Sequence, residues 1–86
     1  MDTNATETWQ TCMIALDCGD LHGAEGVDEA IKADTAVVGI RSLLVAYAES
    51  MRNAIAFRAR GAIPDAIEHE MAANRTYRSI PKAWRW

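Results

Sequence analysis

Few side chains in this sequence could perform chemistry, and their spacings decide most of what that chemistry can be. Cys12, Cys18 and His22 form a C-x5-C-x3-H pattern, and His69 lies between Glu68 and Glu70. Zinc sites usually place paired cysteines two to four residues apart, so this spacing does not fit one. On one helix Cys12 and Cys18 would stand about 9 Å apart along the axis, and a disulfide reaches only about 7 Å between Cα atoms. We expect two free thiols, Cys12 buried as a small apolar residue and Cys18 at a helix end, with no metal site. His69 does not belong to an HExxH motif, because position 73 is alanine. Neighbours in sequence do not share a helix face, so neither glutamate orients its ring.

The remaining constellations fail on the same grounds. "DCGDLHGAEGVDE" has acids but not the order of a calcium loop, since Gly19 takes the third position and Gly23 comes one place late. Ser42, Ser50 and Ser79 sit in no nucleophile-elbow setting, and no Gly-x4-Gly-Lys loop exists to cradle a phosphate. The turn in "FRARGAIPDAI" resembles a helix-turn-helix corner, but the helix after it opens with Asp65, Glu68 and Glu70, which would face phosphates of like sign. We expect no enzyme and no cofactor.

What is left is "NRTYRSIPKAWRW", with four cations, three rings and no carboxylate. Arg75 and Arg78 are three apart and share a helix side, and Lys82 and Arg85 follow beyond the proline. Trp84 and Trp86 alternate, so an extended tail would carry both on one face. Trp, Tyr and Arg are the residues enriched in protein-interface hot spots. Rings interleaved with cations also suit single-stranded nucleic acid. The same residues could instead fold back as the lid of a small core.

These side chains need a scaffold, and 86 residues supply one domain with a marginal core. Half the residues are hydrophobic and alanine leads among them, a composition for helices. The pattern predicts helices over 4–18, 28–60 and 64–78, with a C-terminal tail over 80–86. Asn4 with Glu7 reads as a capping box. Trp9, Cys12, Met13 and Leu16 fall on one helix face, and Gly19 supplies a stop. The 28–60 stretch carries one stripe, Ala30, Ala33, Val37, Ile40, Leu44, Tyr47, Met51 and Ile55, and as one helix would run roughly 50 Å. A break near Asp34, where Asp34 or Thr35 could cap a second helix, is the alternative. Gly61 closes this stretch, Pro64 opens the next, and Ile63, Ile67 and Met71 are expected on the buried side. The fold class is all-α: a small bundle of three to four helices around one long central helix.

That central helix is apolar on nearly every side, and two short neighbours cover only one of them. We therefore expect a homodimer or partner face at Val38, Leu43, Val45 and Tyr47. Charge is also divided. Residues 1–51 carry −7 and residues 52–86 carry +4, summing to the −3 of the chain. The expected function is non-enzymatic, stoichiometric binding of a larger host or viral protein. It would act as an inhibitor or an assembly or adaptor factor of the kind mobile elements and phages carry, through Arg75, Arg78, Lys82, Trp84, Arg85 and Trp86. The alternative is nucleic-acid binding by the same basic, aromatic face, which the pI near 5.2 opposes. Free thiols, no signal-like N-terminus and no apolar run of membrane-spanning length give a cytoplasmic expectation and no membrane partner.

Overall fold

The computed structural model describes the backbone from Ala5 and the side chains from Thr8 through Trp86. The Asn4–Glu7 capping pair lies outside the described residues. The described residues form four α-helices in order: α1 (Ala5–Asp17), α2 (Val27–Ala33), α3 (Arg41–Ala59) and α4 (Ile63–Ser79). Two 3₁₀ segments, Thr35–Ile40 and Lys82–Trp84, complete the chain, and no strand occurs among the described residues.

Local chemistry sets the helix ends. After α1, Gly19 takes φ 78° and the Asp20 amide reaches back to the Ala15 carbonyl at 2.9 Å, while Gly19 N–H donates to Leu16. After α3 the arrangement repeats, with Gly61 at φ 79° and Ala62 N–H donating to the Phe57 carbonyl at 2.9 Å. Both are Schellman closures, which need a left-handed residue and so favour glycine. Pro64 lies in the first turn of α4, where a missing N–H costs nothing.

The 28–60 stretch is divided rather than continuous. The Asp34 backbone is extended, its side chain accepts from Ala36 N–H at 3.0 Å, and the chain then runs as a 3₁₀ segment kinked at Val37 before α3 begins. Asp34 is also the one buried charged residue among those described, and Trp9 Nε1 donates to it at 2.9 Å. A capping carboxylate thus ties α1 to the α2–α3 junction. The expected stripe survives this break with one loss: Ala33 is exposed, and Val27 and Ile31 are the buried residues of α2.

The core gathers around α1. Trp9, Met13 and Leu16 are fully buried with Cys12 beside them, as the one-face spacing requires. Each such large side chain contributes about 1.5–3 kcal/mol through burial. Val27, Ile31, Val37, Leu44, Tyr47, Ala48, Ala73 and Ile80 complete the cluster. α3 packs chiefly on α4, and α1 chiefly on α2. Ala54 on α3 and Ala66 on α4 are buried yet lie outside the main cluster. The far half of the α3–α4 hairpin is therefore an arm whose fully buried side chains are alanines, with Ile55 still packed against the core. The Cα extents are 42 × 25 × 16 Å. Two helices packed 8–10 Å apart, each with a Cα radius near 2.3 Å, need about 15 Å, so the short axis holds two layers and not three.

Candidate protein-docking site

The six tail and helix-end residues divide into two groups. Trp84, Arg85 and Trp86 turn inward. The Trp86 ring meets Trp9, Tyr47 and Tyr77 edge-on, with centroid distances of 5.9, 4.8 and 4.8 Å. Its Nε1 donates to Asp17 Oδ2 at 2.9 Å, and its carbonyl oxygen accepts from the Tyr77 hydroxyl at 2.6 Å. Gln10 Nε2 donates to the Trp84 carbonyl at 3.0 Å. Arg85 donates through Nε to the Ile80 carbonyl at 2.8 Å and through Nη2 to the Arg78 carbonyl at 2.9 Å. Ile80 is wholly buried and anchors the turn at Pro81. Residues 80–86 form a clasp that ties α4 to α1 across the end of α3.

Arg75, Arg78 and Lys82 turn outward. All three are exposed, and none has a carboxylate partner among the described residues. Other cations of the basic half are engaged: Arg52 with Asp28 at 3.4 Å, Arg58 with Glu70 at 2.7 Å, and Arg60 over the Phe57 ring at 4.8 Å.

One expectation about α4 is overturned. Ile63, Ile67 and Met71 do not mark its buried side; they are 39, 45 and 56 % exposed, while Ala66 and Ala73 are buried against the rest of the chain. Alanines are small enough to let packed helices approach closely, and α3 has buried alanines of its own at Ala48 and Ala54. The larger side chains at four-residue steps lie on the other side of the helix, leading towards Arg75 and Arg78. An open groove of about 510 Å³ runs along them, lined by Pro64, Asp65, Ile67, Glu68, Met71 and Arg75.

The face proposed on the central helix fares differently residue by residue. Val38 is 63 % exposed. Leu43 and Val45 are half-buried against the core. Tyr47 is buried inside this chain, where its hydroxyl donates to Asp17. Burial, then that hydrogen bond and the nearby charge of Asp17, push the Tyr47 phenol far above its ordinary value. Within the chain, α3 is contacted by α4, α1, α2 and the first 3₁₀ segment.

Cys12 is buried, with its thiol pushed up by desolvation, and Cys18 is exposed. No cluster of three His, Cys, Asp or Glu side chains that could hold a metal ion occurs among the described residues. His69 lies flat against Phe57, with centroids 5.2 Å apart and planes 13° from parallel. Asp17 was legible only as an acid in a failed calcium pattern. Its partners, Tyr47 and Trp86, stand 30 and 69 residues away, and no local signal announces such pairs.

Comparison with known proteins returns no family model, no curated protein and no solved structure that matches this chain.

Proposed function

We propose that this chain is a non-enzymatic helical protein that acts by stoichiometric binding, as an inhibitor or an assembly factor, through the outer side of α4. One observation carries the reading: α4 leaves Ile63, Ile67 and Met71 in water while burying alanines, and the same side runs into Arg75, Arg78 and Lys82. Clustered exposed apolar side chains rimmed by charge mark interaction surfaces. The cationic end selects a protein partner with an acidic surface, and like-charge juxtaposition rejects others. The free thiols suit a reducing compartment, for which we take the cytoplasm. No helix of the described residues is long and apolar enough to cross a membrane.

The nucleic-acid alternative has less support. Stacking needs free ring faces, and Tyr77 and Trp86 are engaged with each other and with Trp9 and Tyr47. The net charge of −3 also opposes phosphate binding.

The test is capture from a nuclease-treated lysate by the intact chain and by an Arg78→Glu, Lys82→Glu variant. We expect a protein retained in equimolar amount by the first and lost by the second, with both equally helical by circular dichroism. Capture that nuclease abolishes would move the assignment to nucleic acid. Equal capture by both chains would clear the cationic end of any role.

A further inference from the structure

We propose that the apolar stripe of α4 is covered by a second copy of this chain, the two α4 helices lying antiparallel around a twofold axis between Ile67 and Met71. This rests on the reading above that the outer side of α4 is an interface, and it names the occupant of its apolar part.

Two independent features argue for it. The first is the arm. Between Ala54 and Ala66 every fully buried side chain of the α3–α4 hairpin is an alanine, and its larger apolar residues, Ile55 and Phe57, are only half-buried. A two-helix arm with so little buried apolar surface gains little from its own packing. Laying the same arm of another copy against it makes a four-helix arrangement and removes Ile63, Ile67 and Met71 from water in both copies at once.

The second is the order of charge along α4. Acids come first, at Asp65, Glu68 and Glu70, and bases last, at Arg75 and Arg78. Parallel copies would stack like on like, whereas antiparallel copies bring the acidic end of each to the basic end of the other. Glu68 and Arg75 are seven residues apart, so they flank the stripe on the same side, and both line its groove. In an antiparallel pair that flank faces its own symmetry mate. With Ile67 set against Met71 of the second copy, Glu68 and Arg75 of the second copy differ by about 7.5 Å along the axis at 1.5 Å per residue. Helical side chains lean towards their own N-terminus, which in this orientation leans these two towards each other and closes the gap. The contact is isologous and closes at two copies. Arg78 and Lys82 lie beyond it, at both ends of the assembly, free for an acidic partner.

Sedimentation velocity on the full chain, with circular dichroism as the control for folding, tests this. We expect a species of twice the 9.5 kDa chain mass, and Met71→Glu is expected to give a helical monomer. Glu68→Arg alone should weaken dimerisation roughly tenfold, as two cross-interface pairs each turn repulsive. Glu68→Arg with Arg75→Glu should restore it, a rescue that misfolding cannot mimic. A monomer at every concentration overturns the proposal. So does a dimer indifferent to Met71→Glu and to the charge exchange. A monomer whose capture of a protein partner is lost on Met71→Glu means that the face is an interface with a different occupant. If Met71→Glu changes neither mass nor capture, the underlying reading falls as well.

Discussion

On one side α4 presents Ala66 and Ala73 to its own chain, and on the other it presents Ile63, Ile67 and Met71 to water. A monomer that packed by hydrophobicity alone would have turned the helix the other way. The comparison teaches that fit outranks size at a close helix–helix contact. The fully buried residues of α4 that face the chain, Ala66 and Ala73, are small, while Phe57 with His69 and Tyr47 with Tyr77 meet between α3 and α4, and Ile80 is buried further along. The outer stripe then has apolar area and no use within the chain.

The two sides should respond oppositely to substitution, and the largest response is expected where the inner side meets the clasp. Trp86→Ala removes three ring contacts and the Asp17 hydrogen bond, and should cost about 3 kcal/mol, the low end for a tryptophan truncation because the ring is only half-buried. Chemical denaturation reads this directly. A loss below 1 kcal/mol would mean that the clasp is ornamental and that the tail is free to bind. Next, Ala66→Leu should cost about 1–3 kcal/mol by overpacking a wholly buried position. A neutral result would show the hairpin to be loose, and the contrast between the sides would collapse.

Tyr47→Phe is a change of comparable size with a pH signature. It gives up the bond to Asp17, at about 1.5–3 kcal/mol for a hydrogen bond to a charged group. The Tyr47 phenol is raised in the folded protein, so the neutral form is the one the fold stabilises. That contribution is complete below the ordinary tyrosine range near pH 10 and is lost as pH rises above it. Wild-type denaturation midpoints should therefore fall on the alkaline side, and the phenylalanine variant should show a shallower fall.

The smallest intrinsic effect belongs to the outer side. At low concentration Met71→Ser should shift stability by less than about 0.5 kcal/mol, as for other surface positions. At high concentration it should abolish any rise in melting temperature with concentration, because a dimer stabilises its subunits by mass action. A large loss at low concentration would mean that Met71 is buried after all.

Much of the architecture was legible along the chain. The α1 face was readable because Trp9, Cys12, Met13 and Leu16 have a single way to be buried together. Asp34 was readable as a break because a carboxylate can cap the backbone just beyond it. α4 was not readable in the same way. Ile63, Ile67 and Met71 fit helical spacing, and so do Ala66, Ala73 and Tyr77; periodicity finds both stripes without ranking them. The site was harder still. Arg75, Arg78, Lys82, Trp84, Arg85 and Trp86 look alike as a composition, yet three face water and three are folded back.

The sequence by itself determined where helices stop and turn, because glycine in the left-handed region, proline in a first turn and a capping carboxylate act on the backbone within a few residues. It also determined that the regular elements of the described chain are all helices. Only the tertiary structure decided which side of α4 is inner, that Asp17 receives both Tyr47 and Trp86, and that the tail closes on α1. Those outcomes depend on which surface lies opposite, and a side chain tens of residues away leaves no local trace of where it will arrive.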